Sequence, residues 1–246
     1  MKDPVYRGIV CSCRFGYIRV LGRTMLRPRA WLDSLRVQSG LRDYPVYSPP
    51  YSGVGPELSR SEGEANYSYF LEQKDARLKQ LGEFLAQFDV LMTIDERGIR
   101  NVSAWLHRFA GHLIVNSLVR TSKAYFSFDP QWKYAHRGLN VVWDVGIFAG
   151  EAIINLNQQC GWELDTGEIF HATRHTRGYL RPCIAGTRPP GCFDVFEFCL
   201  AVTRAKQKLV TVGATTAGIA GVAADAFEKG LRFWASPDPR QSARVY

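Results

Sequence analysis

The sequence lacks the short motifs that commonly reveal an enzyme or a metalloprotein. It contains no Walker A phosphate loop, no GxSxG nucleophile turn and no GxGxxG dinucleotide fingerprint. Its six cysteines include one C-x-C and no C-x-x-C pair, so the usual zinc spacing is absent. Six cysteines in 246 residues are also too few for a disulfide-held scaffold. We therefore predict no cofactor, and we expect Cys160 and Cys199 to be small buried residues.

Signals for export and membrane insertion are also missing. Arg14 and Arg19 interrupt every apolar run near the N-terminus that could form the core of a signal peptide. The best membrane candidate, residues 209–224, is uncharged but consists mainly of Ala, Gly and Thr. It is also shorter than the ~20 apolar residues that a spanning helix needs. We predict a cytoplasmic protein with no membrane contact.

The positive charge is concentrated at the two ends of the chain. Residues 1–40 carry eight Lys/Arg and two Asp, and residues 203–246 carry seven Lys/Arg and three acidic residues. Residues 41–202 carry 16 Lys/Arg and 18 Asp/Glu, so the middle is close to neutral. A nucleic-acid-binding domain places its cations on the folded face that meets the phosphates. Nucleic-acid binding by the core is therefore not expected.

The charge pattern and the turn residues predict three regions. Residues 1–40 are interpreted as a basic, Arg-rich extension outside the compact fold, with Met25 or a later codon as an alternative start. Residues 41–206 form the core, since 46% hydrophobic content at this length supports one domain. Residues 207–246 form an Ala/Gly-rich segment and a frayed tail.

Helical periodicity is clearest in the first half of the core. Ser61 and Glu64 fit a capping box for an amphipathic helix over residues 62–88. Residues 95–98 are predicted to form a turn, and Asn101 is predicted to be the N-cap of the next helix. Residues 122–135 show no period and are predicted to form a loop.

The second half of the core mixes helices with short strands. Residues 138–157 are apolar on nearly every side, which predicts a buried helix. Strands are predicted at 162–164 and 181–185, and Asp194 is predicted to cap a helix over 195–206. Helices and strands that do not alternate regularly predict an α+β fold, a single domain of several helices packed on a small sheet.

Two carboxylates within the apolar helix are the strongest site candidates. Asp144 and Glu151 are seven residues apart and share a helix face. A buried charge needs a partner, so we favour a buried salt bridge, for instance from Glu151 to an arginine near Arg181. The alternative is acid/base catalysis by the two carboxylates, assisted by a histidine.

Four histidines are weaker candidates. His107 and His112 are considered for catalysis, but they are five positions apart, which places the rings on different helix faces. His171 and His175 have the i, i+4 spacing of a metal site. Neighbouring arginines such as Arg174 would repel a cation, so a solvated polar loop is the favoured interpretation and no metal is predicted.

Several segments carry a resemblance to other proteins. They are YSPPYSG (47–53), ANYSYFLEQKDARL (65–78), AWLHRFAGHL (104–113), GLNVVWDVGIFAGEAII (138–154), Trp162 and RPC (181–183). Together they resemble an uncharacterised family of bacterial proteins, and they are similar to small α+β proteins near toxin and secretion systems, some proposed as immunity proteins. The resemblance covers about residues 41–200 and implies no known reaction, so it assigns no catalytic residue.

The leading functional hypothesis is a non-catalytic accessory or immunity-like module that binds another protein through aromatic residues. The residues expected to have a structural or interaction role are Trp105, Trp143, Gly150, Trp162 and Arg181. Two alternatives stay open. One is a hydrolase that uses Asp144, Glu151 and a histidine, and the other is a nucleic-acid binder that uses the basic termini.

Overall fold

The structure is a computed structural model that describes residues 28–115, 118–167, 178–187, 192–212 and 223–236. Seven α-helices and one two-stranded antiparallel sheet lie within these ranges, which confirms the α+β prediction. The helices are α1 Pro28–Gly40, α2 Arg60–Ala86, α3 Glu96–Phe109, α4 Leu118–Ser127, α5 Gly138–Leu156, α6 Val195–Val212 and α7 Ala226–Ala235. The strands are β1 Gly161–Leu164 and β2 Pro182–Ala185, with Trp162 opposite Ile184.

Helix α5 lies at the centre of the core, as its apolar sequence predicts. It packs against α2, α6 and α7. Gly146 and Gly150 permit the close approach of two rings: a Cβ at Gly146 would lie 2.5 Å from Phe196 Cδ1, and one at Gly150 would lie 2.2 Å from Trp162 Cζ2. The stretch Tyr134–Leu156 is long and apolar enough to cross a membrane, but 78% of its most apolar window is buried inside the protein.

Two predicted helix starts are wrong, by two residues for α2 and by six residues for α3. Helix α2 begins after Ser59, whose hydroxyl accepts the amide of Glu62, while the Glu62 carboxylate accepts the amide of Ser59 at 2.8 Å. Helix α3 begins after Asp95, which caps the amide of Gly98 at 2.8 Å, so residues 96–98 are helical rather than a turn. In both cases an earlier residue in the sequence also has the chemistry of an N-cap, and the structure uses that one.

The predicted loop over 122–135 is also partly wrong. Helix α4 runs to Ser127, and Tyr134–His136 form a short 3₁₀ turn. Tyr125, Phe126 and Trp132 of this region are buried, with Tyr125 stacked on Trp132 at a centroid distance of 5.4 Å. Tertiary packing stabilises the helix here although the sequence shows no helical period.

Both proposed boundaries of the core exclude packed helical residues. Helix α1 lies before residue 41, yet Val37 is fully buried in the core. At the other end, α6 continues past residue 206 to Val212, and α7 places Phe227 and Leu231 in the core. Residues 28–40 and 226–235 therefore belong to the folded unit. Residues 1–27 and 237–246, and most of the membrane candidate 209–224, lie outside the described residues.

Candidate functional site

Asp144 is the most deeply buried of the candidate catalytic residues that the structure describes. It is fully inaccessible to solvent. Its Oδ1 accepts a hydrogen bond from Arg77 Nε at 2.8 Å, and Arg77 Nη2 lies 2.7 Å from Oδ2. Tyr44 donates its hydroxyl to Oδ2 at 2.5 Å. The expectation of a partnered buried carboxylate is confirmed for Asp144, and its cation comes from α2.

The electrostatics of the cluster formed by Asp144, Arg77 and Tyr44, called the triad below, favour a structural role. Burial raises the pKa of Asp144 to about 6, while Arg77 and the Tyr44 hydroxyl act to lower it. Burial also raises the pKa of Tyr44 well above its usual value. The hydroxyl therefore stays protonated and donates a hydrogen bond to the carboxylate. The oxygens of Asp144 are occupied by these donors and are shielded from solvent. The triad therefore has the geometry of a structural ion pair.

Glu151 belongs to a different environment from Asp144. Its Oε1 lies 3.0 Å from Lys74 Nζ and accepts the indole N–H of Trp162 at 2.8 Å. The predicted salt bridge exists, but the suggested partner near Arg181 is wrong, because α2 rather than the segment before β2 supplies the cation. Asp144 and Glu151 share a helix face, yet each is held by its own cation from α2.

The candidate histidines lie apart from both carboxylates. His107 Nδ1 is 2.9 Å from Lys206 Nζ, and burial together with this cation lowers the pKa of His107. His112 is buried in the 3₁₀ turn after α3, where burial lowers its pKa and Asp33 acts in the opposite direction. Within the described part of the chain, neither Asp144 nor Glu151 bonds to a histidine, so the described residues do not bring the two carboxylates and a histidine together.

The metal candidates His171 and His175 lie outside the described residues, together with the adjoining residues 168–177. In the ranges that the structure does describe, no three His, Cys, Asp or Glu side chains gather as a set of metal ligands. Cys160 and Cys199 are buried as expected.

The aromatic residues expected to mediate interactions lie inside the molecule. Trp105 is 2% exposed, Trp143 is fully buried and stacks on Phe196 at 3.8 Å, and Arg181 is 4% exposed. Trp162 is half-buried against Gly150. These side chains hold the core together, and with the exception of Trp105 they do not border an exposed groove.

The sequence analysis did not identify the exposed apolar ridge on α1. Trp31 is 45% exposed, Leu32 57% and Leu35 48%, and their spacing places them on one face. The opposite face of α1 packs on the core through Val37 and through Asp33. The exposed ridge could have been predicted from the sequence of α1, because apolar residues occur on both of its faces.

A groove lies close to α1, whose Arg36 is 3.3 Å from the lining residue Asp89. It has a volume of about 430 Å³, and its lining includes Leu91, Trp105 and Phe109. The Trp105 indole N–H is buried and has no hydrogen-bond partner among the described residues. Arg108 connects the core-facing side of α1 to the groove: it bonds to Asp33 at 2.6 Å, and its guanidinium lies 4.6 Å from the ring centre of Phe109, which lines the groove.

Comparison with known proteins assigns no family to the chain. No family model, curated protein or solved structure matches it. The resemblance suggested by the sequence segments stays a prediction, and the function has to be argued from the geometry.

Proposed function

We propose that this protein is a non-catalytic protein-interaction module whose binding face is the α1 ridge with the adjoining groove. One observation carries the proposal: three large apolar side chains, Trp31, Leu32 and Leu35, stand in solvent on a helix that is anchored to the core by its other face. A contiguous exposed apolar patch is typical of an interaction site. The separate ion pairs of Asp144 with Arg77 and of Glu151 with Lys74 support binding rather than hydrolysis.

The charges around the ridge specify the chemistry of the partner. Helix α1 exposes Arg29 and Arg36, whereas its one carboxylate, Asp33, is buried against Arg108. Arg36 reaches across to Asp89 at the rim of the groove, at 3.3 Å. The partner is therefore another protein with an apolar surface flanked by acidic residues, because complementary charge guides the encounter and apolar contact provides affinity.

A site-specific crosslinking experiment tests the proposal. A photo-crosslinking amino acid replaces Leu32 in the full-length protein, in the cells that produce it, and the control protein carries the same amino acid at Leu71. Leu71 is 41% exposed on α2, and it lies about 20 Å along that helix from Phe84, which packs beside the end of α1. We expect one defined protein partner at position 32 and none at position 71.

Two variants decide whether the ridge is responsible. Leu35→Glu should abolish the crosslink at position 32, and the matched Leu71→Glu should leave it intact, with both variants keeping the melting temperature of the parent. Crosslinks that are absent, equal at both positions or formed with a second copy of this chain would each overturn the proposal.

A further inference from the structure

Two of the four cysteines that the structure describes are in contact with each other, and all four are free thiols. Cys183 lies in β2, and Cys192 lies three residues before the start of α6 at Val195. The thiols of Cys183 and Cys192 share a side-chain hydrogen bond. By contrast, the Cys160 thiol donates to the backbone carbonyl of Gly186 at 3.4 Å. Cys183 and Cys192 are therefore a pair of neighbouring thiols.

The backbone explains why these two side chains meet. Ile184 of β2 forms an isolated antiparallel bridge with Phe193. The amide of Ile184 donates to the carbonyl of Phe193 at 3.0 Å, and the reverse hydrogen bond is 2.8 Å long. Cys183 and Cys192 each directly precede one residue of this bridge, so their side chains share one face as diagonal neighbours. Two backbone hydrogen bonds therefore hold the thiols together.

The two thiols differ in their access to solvent. Cys183 is 2% exposed, whereas Cys192 is half-buried. The hydrogen bond with Cys192 and burial raise the pKa of Cys183, so this side chain stays a neutral thiol until a reaction removes its proton. An accessible cysteine beside a second, shielded cysteine is the arrangement in which one thiol meets an oxidant and the other resolves the product.

We propose that Cys183 and Cys192 form a reversible disulfide, with a low-molecular-weight disulfide such as oxidised glutathione as the oxidant. The sulfur of Cys192 attacks one sulfur of oxidised glutathione, whose S–S bond breaks, and one reduced glutathione leaves with the Cys192 proton. The sulfur of Cys183 then attacks that of Cys192 in the mixed disulfide, and the second reduced glutathione leaves with the Cys183 proton. The two cysteines lose two electrons, and oxidised glutathione gains them.

The new bond links β2 to the segment that leads into α6. The sulfur atoms move from hydrogen-bond contact to a bond length of about 2.05 Å. Cys192 lies outside the named strands and helices, so a shift of its backbone breaks none of them. A cross-link between these positions lowers the entropy of the unfolded chain, and oxidation therefore favours the folded state.

Equilibration of the full-length protein with reduced and oxidised glutathione tests the proposal. Remaining thiols are then alkylated, and the protein is cleaved with chymotrypsin without reduction. The peptide of residues 181–193 contains Cys183 and Cys192 but not Cys199. At the most oxidising ratio it should be about 2 Da lighter than the reduced, unalkylated peptide, and dithiothreitol should reverse the change. A peptide with both thiols alkylated, or with glutathione left on Cys192, would overturn the proposal.

The same equilibration in urea separates a contact held by the fold from simple closeness along the chain. The equilibrium constant for the bond should be at least about tenfold larger in the folded protein than in urea, because the fold holds the two sulfurs together. Cys192→Ser should leave Cys183 without a bridge, and the control Cys160→Ser should keep the bridge. Equal constants in the folded and unfolded protein, or loss of the bridge in both variants, would refute the assignment.

Discussion

Removal of Arg77 should expose how much the fold depends on the buried triad. Arg77→Met takes away the cation that contacts Asp144, whose carboxylate is fully buried and whose other described donor is Tyr44. Breaking one side of a buried ion pair costs about 3–5 kcal/mol, because the remaining charge stays desolvated. That is a large part of the 5–15 kcal/mol by which a typical domain is stable, as an order of magnitude.

Urea unfolding at pH 7, followed by tryptophan fluorescence, measures this loss. With a slope of about 3 kcal/mol per M, the midpoint should fall by about 1–2 M. The matched control is Lys74→Met, one turn earlier on α2, which removes the partly exposed partner of Glu151 and should cost about 0.2–1 kcal/mol. Similar shifts for the two variants would refute the assignment of Asp144 and Arg77 as the dominant pair.

Two measurements distinguish the loss of the ion pair in Arg77→Met from a loss of packing. Without Arg77 the pKa of Asp144 should rise further, since that cation lowers it in the native protein. The defect of Arg77→Met should therefore shrink as pH falls from 7 to 5 and the carboxyl becomes protonated. Adding Asp144→Asn to Arg77→Met should recover part of the stability at pH 7. A defect that is independent of pH and unaffected by the second substitution would indicate lost packing instead.

Two further predictions follow from the same helix. Burial raises the pKa of Asp144 from 3.8 in the unfolded chain to about 6 in the folded protein. Protonation of this carboxyl therefore adds about 3 kcal/mol to the free energy of unfolding below about pH 4, and this contribution is lost as pH rises through 6. The stability of the wild type relative to Asp144→Asn should therefore decline by that amount between pH 4 and 7, and parallel pH curves would contradict this. Gly150→Ala would place a methyl group 2.2 Å from Trp162 and should cost about 1–3 kcal/mol, or several degrees in melting temperature. Its control, Gly82→Ala, meets nothing nearer than Met92 at 3.5 Å and should raise the melting temperature slightly. Equal effects at the two glycines would show that Trp162 does not sit against α5.

The elements that sequence analysis located correctly are those with a strong local signal. The apolar run over residues 138–157 is buried along almost its whole length and forms α5 with an error of one residue. Both strands were found because short apolar segments follow turn residues in each case. By contrast, the start of α3 was placed at Asn101 because Asp95 and Gly98 resemble a turn, although the Asp95 carboxylate caps the Gly98 amide of a helix.

The partners of Asp144 could not be predicted from the sequence. Sequence identified Asp144 as a group that needs a partner, since a lone carboxylate in an apolar helix is costly. It could not identify the partner, because Arg77 is 67 residues and Tyr44 100 residues away along the chain. Arg77 itself has the sequence context of a solvated helix face, with Lys74 and Lys79 nearby. Only the packing of α2 on α5 turns that residue inward.

Helix α1 is a second element that the sequence analysis misplaced, because it put α1 outside the fold. Charge counting assigned residues 1–40 to an extension, since arginines outnumber acids there. Yet Asp33 neutralises Arg108 and Arg36 reaches Asp89, so two of the charges in this region serve to attach α1 to the core. Net charge does not show which charges are paired within the fold. Because those contacts hold one face of α1, the apolar side chains of the other face are left exposed to solvent. For this reason we propose the ridge, rather than the buried tryptophans, as the surface for a partner.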